Sequence, residues 1–439
     1  MKRFRLITIG ALVLAAGCSL VNTYDDIVPR VEGTYATGAE PSNDASSPDS
    51  ATADATSDAT DAGPPGSGGA IVVSATVEDD AGVESYVLSV LDPKDGRELS
   101  REKMVASAVR YDGLRDLWYI FESKTNDFVL AAGQPMVLHV RSLDVKTGAW
   151  TDLSQTPVPA LEWYESIGVV NQRLGYVAYV DPEAGTGLQF VTINTASPSS
   201  ISVINTLAID INPVGVVATR SSTGAGGVIS LVRTGVCDGS ACPIELVPVR
   251  FPNGSTPIMD PPVQVSTTSK FAPASFAAMT AAERDLIITP RSSSDAAAPT
   301  FASTFDPQTH SQIGTTTTFF INDSAMRRAA ISDCTNTAFV IGTNGDLFVH
   351  AVPIFEDGGG TATSAPTGHS GQSIYFEPTS KTVLVPFGQG SGHDFTAFRL
   401  GGTPDAPTLT KRLSPDWSPP NDLRPVLFGI RQPLPVTCN

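Results

Sequence analysis

Positive charge is what this chain has least of: 28 Lys and Arg stand against 45 Asp and Glu, leaving a net charge of −17 over 439 residues. Such a surface repels phosphate backbones, so no nucleic acid is expected as a partner. Histidine is scarce as well, at 5 residues. No Gly-x-Ser-x-Gly, His-Glu-x-x-His or phosphate-cradling glycine loop occurs, which removes the commonest hydrolase, zinc-peptidase and nucleotide signatures. No cofactor is indicated. Long apolar runs are missing too: the longest, 6–17, has 12 residues, short of the roughly 20 that cross a bilayer as a helix. Helical periodicity is nearly absent, and the one stretch with a trace of it, 276–285, is too weak to be a helix.

What is present begins with Lys2, Arg3 and Arg5, then the apolar run, then Leu14-Ala15-Ala16-Gly17-Cys18. A charged head, an apolar middle and small residues before a cut are the parts of an export signal. The arrangement resembles the bacterial lipobox, with Ala15 where leucine is commoner. That resemblance implies a signal peptide at 1–17, lipid on Cys18 and attachment of the mature chain to a membrane. Ser19 after the cysteine implies, by the same resemblance, the outer membrane of the cell envelope.

Four cysteines remain once Cys18 carries lipid, and an even number in an oxidising compartment favours disulfides. Cys237 and Cys242 bracket Asp-Gly-Ser-Ala and are expected to close that loop. Zinc is the alternative, but no second ligand pair lies near and no metal site is read. Cys334 and Cys438 are left for each other.

Residues 36–69 contain only Ala, Ser, Thr, Asp, Gly, Pro, Glu and Asn. Without large apolar side chains, burial cannot offset the cost of ordering the backbone, so 18–69 is expected to be a disordered tether. From Ala70 to the end, short runs rich in Val, Ile, Phe and Tyr alternate with Gly, Pro, Asn and Asp clusters, the pattern of an all-β domain. One kind of turn recurs: Asp92-Pro93-Lys94-Asp95-Gly96, Asp144-Val145-Lys146-Thr147-Gly148, then turns starting at Asn194, Phe251, Asp306, Glu356 and Gly401. Successive starts are 45 to 57 residues apart, the length of one four-stranded propeller blade. Seven such turns predict a seven-bladed β-propeller over 70–439.

In the second unit the strands are expected at 105–110, 117–122, 136–142 and 150–153, from the inside outward. The second strand of each unit is the most apolar, as in Leu117-Trp118-Tyr119-Ile120-Phe121. Continuous apolarity means that both faces are covered. Asn344-Gly345 marks a hairpin in the sixth unit. The first unit opens on a second strand, so its inner strand is expected from 426–431, closing the ring with the two ends of the domain.

In the seventh unit, Tyr375-Phe376-Glu377-Pro378-Thr379-Ser380-Lys381-Thr382-Val383-Leu384-Val385 resembles the repeat of bacterial YVTN-like propellers, with 110–121 as a looser echo. The resemblance implies propeller architecture more than any activity. Asp144 to Trp150 has some likeness to the tryptophan docking motif of quinoprotein dehydrogenases, but it occurs once and Trp150 is read as packing.

Loops joining second to third strands, and outer to next inner strands, emerge on one face of a propeller. That face is expected to gather Trp163, Tyr164, His369, His393, Asp394 and Trp417 as a binding site, with acid–base groups beside stacking aromatics. The competing reading is that these glycine-rich loops leave their histidines solvated. His139, His310 and His350 are read as surface or satisfied residues. A lipid-tethered binding or scaffolding propeller for a protein or polysaccharide is expected, as a monomer. The alternative is an envelope hydrolase or lyase acting on a glycan or peptide at the same face.

Overall fold

The computed structural model describes residues 68–431 apart from 79–83, 125–135, 162–166, 171, 180–186, 210–214, 220–226, 240, 252–255, 270–274, 280–283, 290–299, 320–325, 343–347, 355–356, 358–359, 369–372 and 387–394. Every regular element among the described residues is a β-strand. The first sheet takes β1 (Ile71–Glu78), β2 (Glu84–Leu91) and β3 (Glu98–Lys103) from the start of the domain. Blade 2 contains β4 (Ala106–Asp112), β5 (Leu117–Ser123), β6 (Met136–Asp144) and β7 (Ala149–Val158). Blade 3 contains β8 (Ile167–Val170), β9 (Arg173–Tyr179), β10 (Leu188–Asn194) and β11 (Ser202–Ala208). Blade 4 has β12 (Gly215–Thr219), β13 (Val228–Thr234) and β14 (Ala241–Arg250), with its outer position shared by β15 (Ile258–Met259) and β16 (Val263–Ser269). Pro261 and Pro262 stand between those two short strands and have no N–H to give a ladder, so the outer strand breaks there.

Blade 5 is β17 (Ser275–Met279), β18 (Arg284–Thr289), β19 (Thr300–Phe305) and β20 (Gln312–Phe319). The segment rejected as a helix is the β17–β18 hairpin. Blade 6 is β21 (Met326–Ser332), β22 (Thr337–Gly342), β23 (Phe348–Pro353) and β24 (Thr363–Pro366), and Asn344-Gly345 lies outside the described residues between β22 and β23. Blade 7 is β25 (Tyr375–Glu377), β26 (Thr382–Pro386), β27 (Phe395–Thr403) and β28 (Ala406–Lys411). Finally β29 (Arg424–Ile430) pairs antiparallel with β1, Ile71 opposite Ile430 and Val73 opposite Phe428, and completes blade 1 from the far end. The inner strands touch in the order β29, β4, β8, β12, β17, β21, β25 and back to β29, a closed circuit of seven blades.

Side-chain alternation explains why the second strands are apolar throughout. In β5, Trp118 and Ile120 face blade 1 whereas Tyr119 and Phe121 face blade 3. In β22, Ala338 and Val340 pack on blade 5 whereas Phe339 and Ile341 pack on blade 7. Each strand with period 2 thus feeds two seams, and no blade covers both of its own faces. Each large side chain so buried is worth about 1.5–3 kcal/mol. Trp150 packs edge-on against Trp118 at 5.8 Å, in keeping with its reading as a packing residue.

The recurring Asp turn is the hairpin between third and outer strands. Its carboxylate accepts from the N–H two residues on, at 2.8 Å in Asp92–Lys94 and 3.0 Å in Asp144–Lys146. The fifth position is left-handed: Gly96 has φ 77° and Gly148 72°, where glycine avoids a Cβ clash, and His310 occupies it in blade 5 at 57°. In blade 7 the hairpin tip lies at Pro404-Asp405, because β27 runs on through Gly401 and Gly402.

The seam between blades 3 and 4 depends on two glycines. A Cβ on Gly175 would lie 2.4 Å from Phe190 Cζ, and one on Gly168 would lie 2.7 Å from Ala218 Cβ. Gly175→Ala is therefore expected to cost about 1–3 kcal/mol of stability through overpacking, read as a lower urea midpoint at unchanged slope.

Candidate functional site

The strand order assigns every connection to one of two faces. Inner-to-second and third-to-outer hairpins form a turn face; second-to-third and outer-to-inner connections form a loop face. Of the six residues expected to form a site, Trp163, Tyr164, His369, His393 and Asp394 lie outside the described residues. Their flanks are defined. The segment 369–372 leads from blade 6 into β25, and 387–394 joins β26 to β27 within blade 7. The segment 162–166 instead links blade 2 to blade 3, starting from Leu161, which bridges to Ala178.

Trp417 requires a correction. It was expected beside an open face, but its side chain is only 6% exposed. Residues 412–423 do not stay at the loop face; they wrap along the seam between blades 7 and 1. The Trp417 ring lies over Gly96, meets Phe395 edge-on at 6.1 Å and carries the Arg412 guanidinium at 4.6 Å. Arg412 in turn donates to the carbonyls of Pro93 and Lys94, and Asp422 pairs with Arg101 at 2.5 Å. The physical reason is burial: an indole gains more from the seam than from water.

Cys237 and Cys242 are joined as expected, in the loop between β13 and β14 on the loop face. The loop's base is held by the Gly235 N–H donating to the Pro243 carbonyl at 2.8 Å, and Val236 projects from it, 94% exposed. Cys334, in the β21–β22 turn, is also disulfide-bonded, to a partner outside the described residues. His139 is satisfied by Glu122, Nε2 to Oε2 at 2.8 Å. Among the described residues no group of three or more His, Cys, Asp or Glu could hold a metal ion, and no helix is long and apolar enough to cross a membrane.

The turn face carries the polar network that the sequence did not reveal. Arg431, immediately after β29, is buried and grips Asp116 with two bonds, Nε to Oδ1 at 2.9 Å and Nη2 to Oδ2 at 2.5 Å. Its Nη1 donates to the Gly68 carbonyl, and its backbone N–H to the Ala70 carbonyl at 2.9 Å. Tyr111 donates to Asp116 at 2.8 Å, and burial pushes its phenol well above the usual range. One blade further on, Arg115 joins Asp112 to the Thr195 hydroxyl at 2.7 Å. Charged groups are saturated here, which suits a clasp better than a reactive site.

Blade 7 contributes a buried carboxyl. Glu377 accepts from the backbone N–H groups of Thr379 at 3.0 Å and Ser380 at 2.6 Å and from the Ser380 hydroxyl at 2.6 Å. Ser380 continues to Thr382 at 2.7 Å and Thr382 to Arg412 at 2.7 Å, linking the acid to the seam. Burial outweighs these bonds and holds the carboxyl above its ordinary value of 4.5.

These elements define an all-β, seven-bladed propeller closed by the pairing of β29 with β1. Similar folds are a candidate 6-phosphogluconolactonase from Bacteroides uniformis (TM-score 0.57, 11% identity, 83% of this chain and 99% of that one) and another from Bacteroides fragilis (TM-score 0.53, 11%, 84% and 99%). At that identity the likeness establishes the fold alone. Neither a family model nor a curated protein sequence matches the chain.

Two tests follow from the turn face. Arg431→Ala should lower stability by about 2 kcal/mol in chemical denaturation, a figure discounted because the Asp116 side chain is 45% exposed. For Glu377, the folded carboxyl keeps its proton to a higher pH than the unfolded one. The native state then binds more protons, and stability should fall as pH rises from about 4.5 toward neutrality. Glu377→Gln should make that slope shallower in urea titrations across the range.

Proposed function

We propose that the protein is an exported, lipid-anchored propeller that binds a protein or polysaccharide through its loop face. The observation that carries this reading is the difference between the two faces. On the turn face, arginines and carboxylates are spent on tying blades together, as in Arg431–Asp116 and in the Arg115–Asp112 pair that reaches Thr195. The loop face receives the long connections 125–135 and 290–299 and the disulfide-pinned loop with exposed Val236. A rigid ring presenting varied loops is a common basis for recognition.

The anchor fits the same arrangement. The chain enters the domain at Gly68, on the turn face beside Arg431, so a tether from Cys18 would leave the loop face free. Ser19 and the composition of 36–69 support an outer-membrane lipoprotein held off the surface by a flexible linker. A phosphorylated sugar acid, as the likeness to candidate lactonases would suggest, suits the chain less well. Net charge is −17, and Arg101, Arg141, Arg233, Arg250 and Arg424 are all engaged with carboxylates.

The test is glycan- and peptide-array binding by the mature chain, with metal analysis, before and after Trp163→Ala and His393→Ala. Loss of binding by about tenfold or more, roughly 1.4 kcal/mol, is expected from either variant. Turnover of an array member, abolished by His393→Ala, would favour the hydrolase or lyase reading. No binding by the parent, or binding indifferent to both changes, would remove the site.

A further inference from the structure

Two of the recurring Asp turns touch the preceding blade, and in both the point of contact is the fifth position. A Cβ on Gly148 of blade 2 would lie 2.8 Å from Leu99 Cβ in β3, the outer strand of blade 1, and the Ser100 hydroxyl donates to the Gly148 carbonyl at 2.5 Å. A Cβ on Gly96 of blade 1 would lie 3.1 Å from the Trp417 ring and 3.2 Å from the Pro419 nitrogen, in the wrap that follows blade 7. Glycine lets bare backbone make both contacts. Blade 5 departs from this, because His310 holds the same left-handed position at φ 57°. A half-buried imidazole thus stands there, within electrostatic reach of Arg250 and Asp260 at the outer edge of blade 4, where Pro261-Pro262 breaks the outer strand.

The charged groups that act on this ring are Asp306 on its own turn and Asp260 and Arg250 across the seam. Both carboxylates are already committed. Asp260 pairs with Arg250, Oδ2 to Nε at 2.5 Å. Asp306 Oδ1 accepts from the Gln308 and Thr309 N–H groups at 2.8 and 2.7 Å, the bonds that shape the turn. The His310 Nδ1 is buried and has no hydrogen-bond partner. A neutral ring can leave that nitrogen without a proton; a charged ring must place an N–H there, facing no acceptor and near the Arg250 guanidinium. Burial accordingly holds the imidazole below its ordinary value of 6.5, with Asp260 and Asp306 working against the shift and Arg250 adding to it.

We propose that His310 is an acid-released latch between blades 4 and 5, held in the seam while its ring is neutral and driven out of it when the ring takes a proton from solvent, so that the outer hairpin of blade 5 comes away from blade 4. Gly96 and Gly148 give blades 1 and 2 no such response at the same position. A released ring titrates near 6.5 and the seated ring only below that. Between the two values the opened state binds more protons, and the latch weakens as pH falls through this range. Glu377 has the opposite sign, so the variants at the two sites separate their contributions. The latch rests neither on the export reading nor on the binding loops.

The test begins with a proton NMR titration of the imidazole signals of the full chain. The His310 signal is assigned by its loss in His310→Asn, a residue that tolerates the left-handed position and does not titrate. Its midpoint should lie below 6.5; a midpoint at or above that value would overturn the proposal. Arg250→Gln should raise the midpoint and Asp260→Asn lower it, and changes of the opposite sign would contradict a ring seated beside that pair. Amide exchange, corrected for the intrinsic effect of pH, is then compared above and well below the measured midpoint. The His310 and Asp260 amides donate to the Asp306 and Pro248 carbonyls at 2.7 and 2.8 Å. Their protection should fall in the parent by about tenfold for each pH unit between the midpoint and 6.5, while the same two amides hold level in His310→Asn. Unchanged protection in the parent, or an equal fall in both proteins, would overturn the latch.

Discussion

The rest of the structure depends on one constraint: no blade can hide its own two apolar faces. Tyr119 and Phe121 leave one side of β5 while Trp118 and Ile120 leave the other, and each side is covered only by a neighbour. A row of such sheets would always expose one face at each end. Closing the row removes both ends, and this is why the burial of Val383 and Phe339 between blades 6 and 7 presupposes the contact between blades 7 and 1 on the far side of the same sheet. The cooperative unit is the whole circuit.

Closure makes the seam around blade 1 unlike the others. Where other blades join inner and second strand by a covalent turn, blade 1 pairs β29 with β1 from distant parts of the sequence, and the Arg431 N–H to Ala70 carbonyl bond extends their ladder at the break. Around that break stand two charged clasps, Arg431 on Asp116 and Arg412 on the Pro93 and Lys94 carbonyls, and at the other end of the same strands Arg424 pairs with Glu78 and Glu84. The wrap at 412–423 adds Trp417 as an apolar plug. Each arginine donates in fixed directions to acceptors on another segment, which sets the register of the two ends as well as their attachment.

Much of the fold was legible in the residues. The 45- to 57-residue spacing, the Asp turns and the continuous apolar second strands are local signals, and strands expected at 117–122 and 136–142 appear as β5 and β6. The ring closure was legible because the first unit lacked an inner strand. The clasps were not: Arg431 and Asp116 are 315 residues apart, and nothing near either marks the other. Trp417 was misplaced because a connection's position in strand order says which ends it joins and not the path it takes between them. Of the expected site, Trp163, Tyr164, His369, His393 and Asp394 fall in connections outside the described residues, where the sequence carries neither periodicity nor a recurring turn from which to read a position.

Two faces of different construction emerge from this arrangement. Short hairpins and paired arginines build the turn face, where the chain also enters; longer connections supply the loop face, to which the proposed function assigns the partner. Rigidity in the first is what would let the second hold its loops in place. The most direct measurement of the central claim is amide hydrogen exchange of β29 and β1 against β5 and β22. Exchange of all four by one global opening, with the same free energy, is what a closed ring requires. Exchange of β29 and β1 by a separate, much easier opening would show that the remaining blades stand without closure, and would contradict the account.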